Sequence, residues 1–258
     1  MKIVKTATHW LFIVCFSLLL LTSTIHLGVT NVHIYQHGFD KYHISQVTGI
    51  DETQLSEVAR RLVDYFNSEV GTPQIKVVNT NGDEFELFHD YELIHLQDVK
   101  GLFKLDYRIQ VASLAYVIIY ALLPLLIVIL REHFGFAQCK LRKRRISRRT
   151  GFLLWRKGRW QDLAKGIRQG CALTLILVAA AGIASIFGFE RLFIRFHYLV
   201  FTNPYWMLDP SKDYLIMLFP EGFWQDIAFL GGIAIAVEAF LLGGIAWAVP
   251  FIYRRRKR

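Results

Sequence analysis

The stretch FIRFHYLVFTNPYWMLDPSKDYLIMLFPEGFWQD, residues 193–226, lies between two long apolar runs and is crowded with aromatic side chains around His197. Tryptophan and tyrosine concentrate where a protein passes from the hydrocarbon core of a bilayer into water. The stretch is therefore predicted to lie at a membrane surface, between two membrane-spanning helices.

The composition of the 258-residue chain agrees with a membrane location. It is 53% hydrophobic and 14% aromatic, and its mean hydropathy of +0.33 is too high for an ordinary soluble domain. A helix needs about 20 apolar residues to cross the hydrocarbon core, and four runs are that long: residues 10–29, 109–130, 170–189 and 227–251. Backbone polar groups must be satisfied within each such segment, so all four are predicted to be helices.

Lysine and arginine are distributed unevenly along the chain. Of the 30 basic residues, 20 lie in the N-terminal stub, in residues 131–168 and in residues 254–258. Because cytoplasmic loops retain positive charge, these segments and both termini are predicted to be cytoplasmic. Basic residues beside membrane spans face anionic lipid headgroups, which accounts for the net charge of +9 without a nucleic-acid partner.

The predicted fold class is an all-α integral membrane protein with four transmembrane helices and a small extracellular α(+β) cap. Its segments are a retained signal-anchor helix over 1–30, the cap over 31–108, a helix over 109–130, a basic cytoplasmic loop over 131–168, a helix over 169–189, an aromatic-rich extracellular segment over 190–226, a helix over 227–252 and a basic tail over 253–258. The basic loop also contains aromatic and leucine side chains, as an amphipathic segment lying on the cytoplasmic leaflet would.

Patterns within the cap predict its local structure. Apolar residues at helical spacing indicate a helix over 52–69, and two short strands are predicted over 74–79 and 84–88. A second helix is predicted over 91–105. There Glu92, His95 and Asp98 recur every third residue and so lie on neighbouring parts of one face.

His95 and His197 are the candidate catalytic groups, since the topology places both on the outer side. Two imidazoles facing one interfacial cleft suggest acid–base chemistry on a lipid. The residues alone leave two alternatives open: a non-enzymatic protein that only binds lipid, and a metal-dependent membrane hydrolase. No HExxH-like ligand pair and no serine nucleophile elbow occurs in the sequence, so no metal or other cofactor is expected.

The segments YELIHLQDVKGLF (residues 91–103) and RFHYLVFTNPYWMLDPSKDYLIMLFPEGFWQD (residues 195–226) resemble the bacterial lipoprotein intramolecular transacylase family, and the order of elements is similar as well. The resemblance implies an acyltransferase of the bacterial cell membrane, with its active site at the extracellular face. Such an enzyme moves the sn-2 acyl chain of a diacylglyceryl lipoprotein to the α-amino group of that lipoprotein's N-terminal cysteine, giving a lyso-form lipoprotein. The implied partners are the lipoprotein substrate and membrane lipids, and no cofactor is implied.

The same motifs carry the family's two catalytic histidines over to His95 and His197, without deciding which is base and which is acid. The expected site-lining or orienting residues are Glu92, Asp98, Lys100, Phe196, Asn203, Tyr205, Trp206, Asp209 and Asp213. Carboxylates here could orient an imidazole, and Lys100 could stabilise an oxyanion or pair with a carboxylate. Asp209 and Asp213 could equally cap a short helix that begins near residue 211. Aromatic side chains are expected to wall the chamber: Phe193, Phe196, Tyr198, Phe201, Tyr205, Trp206, Phe223 and Trp224.

Overall fold

The computed structural model describes residues 2–69, 71–135 and 144–255, with side chains described over 3–69, 71–122 and 160–248. The elements in those ranges are α1 (Lys2–Thr30), α2 (Val32–Lys41), α3 (Ile44–Thr48), α4 (Glu52–Asn67), β1 (Lys76–Val78), β2 (Glu84–Glu86), α5 (Asp90–Gly135), α6 (Arg144–Val200), α7 (Tyr214–Leu218) and α8 (Glu221–Arg255). The chain is thus predominantly helical, with one small sheet, as the sequence predicted.

Four of the helices are long and apolar enough to cross a membrane: Ile3–Thr30, Asp90–Leu122, Trp160–Val200 and Glu221–Ala248. They leave large apolar side chains exposed, among them Ile186, Phe187 and Trp247. Soluble proteins rarely expose so many large apolar side chains to water, whereas the hydrocarbon core of a bilayer buries them. The prediction of a multi-pass membrane protein with four spanning helices is confirmed.

The helix predicted over residues 91–105 and the span predicted over residues 109–130 form one unbroken helix, α5. Residues 105–109 contain no glycine or proline, so nothing in the sequence stops the helix between the two. The candidate catalytic residue His95 therefore stands in the second turn of a long, regular helix rather than on a separate cap element.

One compact unit comprises Thr22–Arg108 and Ala179–Ala234. Its core contains apolar side chains from the cap helices, the strands, α5, α7 and the start of α8: Tyr35, Phe39, Ile44, Ile50, Leu55, Val58, Ala59, Leu62, Tyr65, Ile75, Val77, Leu87, Phe88, Leu96, Leu215, Leu218, Phe219 and Phe223. Helix α4 begins where predicted, because the side chain of Asp51 accepts the backbone N–H of Thr53 at 2.8 Å.

Strands β1 and β2 pair antiparallel, with Val77 opposite Phe85. They are shorter than predicted, at three residues each. The turn between them places Gly82 at a φ of 87°, a conformation that costs glycine little and other residues more. Val77 is buried, so this hairpin covers one side of the cap core.

Helix α6 is interrupted at Gly188, which has non-helical dihedral angles. Residues 189–200 form a separate helical stretch that carries His197, and an irregular segment, which we call the 201–213 loop, follows it. The helix expected from residue 211 begins instead at Tyr214. Asp213 occupies its N-cap position without making a side-chain cap bond, so the capping interpretation of Asp213 is wrong.

A second compact unit comprises Met1–Leu21, Ile109–Val178 and Ile235–Arg258. In it Phe12 and Phe16 pack close to Gly166 and Gly170, where an added Cβ would lie within 2.8 Å of a phenylalanine ring atom.

The segment predicted as a basic amphipathic loop, residues 131–168, belongs to this unit. Residues 136–143 lie outside the described residues, and residues 144–159 belong to α6, with side chains outside the described range.

Candidate active site

His95 and His197 lie side by side, one on α5 and the other on α6. Their ring centroids are 5.9 Å apart and their planes differ by 39°. Each histidine is only 7% exposed. Both belong to the compact unit that contains the cap. Two side chains 102 positions apart in the sequence therefore meet at one buried point, where a single ester group could contact both rings.

The orientation of the His197 ring is fixed by its own helix. Nδ1 lies 2.7 Å from the backbone carbonyl oxygen of Phe193, one turn earlier. A carbonyl oxygen only accepts hydrogen bonds, so Nδ1 carries the hydrogen and donates it. The neutral ring then has its lone pair at Nε2, which makes Nε2 the proton-accepting atom of this histidine.

His95 has a different environment. Its Nδ1 is buried and has no hydrogen-bond partner among the described residues. Phe201 packs edge-on against the ring, with centroids 4.9 Å apart, and also contacts His197 at 5.3 Å. A buried polar atom without a partner is uncommon in folded proteins and tends to occur where a ligand or water binds.

Aromatic rings surround His197 on several sides. The centroids of Phe193, Phe196 and Trp206 lie 4.2, 5.4 and 5.0 Å from its own. The predicted wall is therefore present for these three residues. Phe223 does not belong to it: its ring is buried in the cap core beside Tyr35 and Phe219.

Asp98 follows His95 by three residues on α5 and is tied to the 201–213 loop. Asn203 donates a hydrogen bond from Nδ2 to Oδ2 of Asp98 at 2.7 Å. Oδ1 of Asn203 accepts the backbone N–H of Tyr205, which fixes the orientation of the amide. Both residues were predicted in the site, and the structure brings them together one helical turn from His95.

Glu92 and Asp213 are fully buried carboxylates that anchor the backbone. Oε1 of Glu92 accepts the N–H of Leu215 at 2.8 Å, and Oε2 accepts the N–H of His89 at 2.7 Å. Asp213 accepts the Tyr91 hydroxyl and, at 2.7 Å, the N–H of Asp209. These bonds fasten the far end of the 201–213 loop to the first turn of α5. No described hydrogen bond joins either carboxylate to His95 or His197, so they position the site rather than orient an imidazole directly.

Asp209, Lys100 and Tyr205 are the remaining predicted residues. Asp209 accepts hydrogen bonds from the hydroxyl and N–H of Ser211, and these bonds hold the pKa of Asp209 below its usual value.

The ammonium of Lys100 stands 4.0 Å from the centre of the Tyr65 ring on α4, a cation–π contact that attaches α5 to the cap. Tyr205 is partly exposed in the 201–213 loop. The ring of His26 on α1 lies against that of Tyr107, with centroids 5.6 Å apart.

One group of side chains has the composition of a metal site. His89, Glu92 and Asp213 each place a potential ligand atom within 4.8 Å of the others. Backbone N–H groups and the Tyr91 hydroxyl already bind the two carboxylates. Hydrogen bonding therefore accounts for this cluster without a cation, and among the described residues the cluster does not include His95.

Comparison with known proteins decides between the alternatives that the residues left open. The family model described as lipoprotein intramolecular transacylase Lit matches residues 10–224. The chain belongs to the Lit family. It is therefore an enzyme of an acyltransferase family, as the sequence motifs implied, and not a protein that only binds lipid.

The fold is similar to that of the membrane-integral Lit from Bacillus cereus. One structure of that protein has a TM-score of 0.72 at 18% identity, with both chains covered completely. A variant of it with a histidine replaced by alanine has a TM-score of 0.68 at 18% identity, covering 100% of this chain and 97% of that one. A histidine-to-arginine variant has a TM-score of 0.64 at 19% identity, covering 100% of this chain and 98% of that one. A comparison with curated protein sequences finds no significant match.

Three features of this Lit family member were missed at the sequence level. The carbonyl of Phe193 orients His197, and the i,i+4 spacing within a helix was a usable signal for it. His89 binds Glu92, and its position three residues earlier in the sequence was a usable signal. Tyr91 binds Asp213, which lies 122 positions away. Contacts between residue 91 and residue 213 depend on tertiary structure and have no local pattern.

Proposed function

We propose that this chain transfers the sn-2 acyl chain of a diacylglyceryl-modified lipoprotein to the α-amino group of the same lipoprotein's N-terminal cysteine, leaving a lyso-form lipoprotein. The observation that carries the proposal is the pair of buried imidazoles, His95 and His197, with ring centroids 5.9 Å apart. Membership of the Lit family supports the same reaction.

The reaction needs a base and an acid. An α-amino group has a pKa of about 7.7–8.0, so its ammonium form gives up a proton before nitrogen can attack the ester carbon. Attack forms the C–N bond, and the nitrogen then loses a second proton. When the C–O bond breaks, the glyceryl oxygen takes up one proton, so the net products are an amide, an alcohol and one released proton.

The tautomer of His197 suggests a role for that histidine, and His95 takes the other role. Nδ1 of His197 donates to a carbonyl, which leaves Nε2 as an acceptor for the proton of the attacking nitrogen. His95 then accepts the proton of the ammonium and returns it to the departing glyceryl oxygen. Positioned proton transfer of this kind typically contributes about 10²–10⁴ in rate. An ester is converted to an amide, so no external energy source is needed.

Confinement is the other requirement, because nucleophile and ester lie in one molecule and meet only in a medium-sized cyclic arrangement. Holding a near-attack geometry removes much of the entropic barrier to such a step. Phe193, Phe201 and Trp206 pack around the imidazoles and supply rigid walls for this purpose. Rigid rings lose little conformational entropy when they hold a lipid.

We place the site at the extracellular face of the bacterial cell membrane, with both termini in the cytoplasm. The distribution of basic residues supports this orientation. In that arrangement residues 31–108 and 190–226 are extracellular, and residues 131–168 and 253–258 are cytoplasmic. The lipoprotein substrate and the surrounding lipids are then the partners of this face.

Mass spectrometry of a lipoprotein N-terminus tests the function. Cells that express the chain are expected to contain N-acylated lyso-lipoprotein, and His95→Asn or His197→Asn is expected to abolish it because each removes a proton-transfer group. His33→Asn, a change at an exposed cap histidine, serves as the matched control and should leave the product unchanged. Unaltered acyl positions with the wild-type chain would refute the proposal. Release of free fatty acid that a chelator suppresses would point instead to a metal-dependent hydrolase.

A further inference from the structure

We infer that the carboxylate of Asp98 binds the protonated α-amino group of the substrate's N-terminal cysteine. This inference rests on the proposed function and adds to it a specificity-determining residue. Under it, the enzyme recognises a diacylglyceryl lipoprotein by its free N-terminal ammonium as well as by its lipid.

The position of Asp98 suits this role. Residues three apart on a helix are neighbours, so the carboxylate lies beside the His95 imidazole on α5. Asp98 is half-buried, whereas Asp51, Glu57 and Asp64 of the cap are exposed. A carboxylate next to the proton-transfer pair places a bound ammonium within reach of the group that must take its proton.

The hydrogen bonding of Asp98 leaves room for a ligand. Asn203 donates to Oδ2 alone, and no hydrogen bond to Oδ1 is described. Among the described residues, no lysine, arginine or histidine forms an ion pair with Asp98. The carboxylate is therefore oriented by a neutral amide, and none of the described ion pairs involves it.

The other carboxylates of the site differ in this respect. Both oxygens of Glu92 and both oxygens of Asp213 accept hydrogen bonds from the protein itself. Oδ1 of Asp209 accepts hydrogen bonds from the N–H and the hydroxyl of Ser211. Asp209 also has an oxygen without a described bond, but it is an exposed residue of the 201–213 loop. Asp98 is the half-buried acid of this group, and it combines a fixed orientation with an oxygen available to a cation.

The chemistry of the substrate and product explains why such a group is useful. A charge-assisted hydrogen bond from an ammonium to a partly buried carboxylate is about twice as strong as a neutral one. After transfer the nitrogen is an amide, which carries no charge and interacts weakly with the carboxylate. Asp98 therefore favours the substrate over the product, and it also disfavours lipoproteins whose N-terminus is already acylated.

Binding of two unreactive lipopeptides to the full-length protein in lipid nanodiscs tests the inference. Both have ether-linked chains in place of esters, so neither can transfer an acyl group. One has a free α-amino group, and the other has hydrogen in place of that group. The wild-type protein is expected to bind the amino form about ten-fold more tightly, as a charge-assisted bond allows.

Asp98→Asn is expected to abolish that preference by weakening only the amino lipopeptide, and Asp98→Glu should restore part of it. Asp64→Asn removes the same charge from an exposed position of α4 and should leave the preference unchanged. Equal loss of affinity for both lipopeptides would overturn the inference and assign Asp98 a structural role. A full preference in Asp98→Asn would overturn it as well. Failure of both lipopeptides to bind the wild-type protein would count against the proposed function itself.

Discussion

Glu92 shows how a single side chain can hold this site together. A carboxylate removed from water loses its hydration, and the loss is acceptable only if hydrogen bonds replace it. Two backbone N–H groups and the His89 ring supply those bonds, at 2.7–2.8 Å. Because one of the N–H groups belongs to Leu215, the same carboxylate fixes the start of α7 to the start of α5.

Replacing Glu92 with glutamine tests this anchoring. The amide keeps the shape of the side chain but presents an NH₂ group to a backbone donor and lacks the negative charge. Hydrogen bonds to charged groups contribute about 1.5–3 kcal/mol each, so Glu92→Gln is expected to lower the free energy of unfolding by about that amount. Chemical denaturation in detergent measures it. Glu86→Gln, at an exposed position of β2, is the control, and an equal effect of both substitutions would contradict the anchoring role.

The sequence identified the candidate site residues but did not show which residues each of them contacts. His95, His197, Asp98 and Asn203 could be chosen because the motifs contain them and the predicted topology puts them on one side of the membrane. Lys100 was expected near the chemistry but contacts Tyr65, because it lies five residues after His95 and so points to a different face of α5. Periodicity decides which face a side chain takes, whereas the element packed on that face becomes known only from the fold.

At the scale of elements, α2 packs closely against the beginning of α8. Gly38 lets the Phe223 ring approach, and an added Cβ there would lie 2.4 Å from two of its ring atoms. Beside this contact, the hydroxyl of Tyr42 donates to Asp226 at 2.7 Å, and Lys41 pairs with the same carboxylate. The cap is thus attached to the α8 helix by one steric contact and one polar cluster.

Gly38→Ala is expected to destabilise the protein by about 1–3 kcal/mol, because the extra methyl group overpacks this contact. Gly101→Ala, on an exposed position of α5 with nothing within 4 Å, should instead stabilise it by about 0.5–1 kcal/mol through helix propensity. Unfolding in detergent compares the two. Adding Phe223→Leu to Gly38→Ala should recover part of the loss, and an absence of recovery would mean that the contact with Phe223 is not the cause.

Element types followed from periodicity, but some element boundaries did not. The helix α4 and the hairpin appear where their patterns placed them. The join of two predicted helices into α5 was missed because a change from polar to apolar residues was interpreted as a break, although the backbone has no reason to stop there. The start of α7 was misplaced because the Asp213 side chain accepts hydrogen bonds from the Tyr91 hydroxyl and the Asp209 N–H instead of capping the helix.

At the scale of the whole molecule, the distribution of positive charge predicts which parts face each side of the membrane. The segment around Asn81, at the hairpin turn, is predicted to be outside the cell, and the segment around Asp162 to be inside. Both residues are exposed in the structure, and Asp162 precedes the apolar run over 170–189, so a cysteine at either position is expected to be accessible to reagent from its own side.

This orientation can be measured by cysteine labelling. After replacement of Cys15, Cys139 and Cys171, a membrane-impermeant maleimide should label Asn81→Cys in intact cells and Asp162→Cys only after the membrane is opened. Loss of labelling at Asn81→Cys after pretreatment with a second impermeant reagent confirms the outer location. The reverse pattern would invert the topology and place the imidazoles on the cytoplasmic side.

The 201–213 loop is fastened to α5 near both of its ends, by Asn203 at Asp98 and by Asp213 at Tyr91. A segment held in two places cannot swing aside as a hinged flap without breaking both attachments. Lipid would then have to slide in sideways from the surrounding leaflet, between helices, and leave by the same route. Turnover in such an enzyme should follow the fluidity of the bilayer more closely than the solvent viscosity.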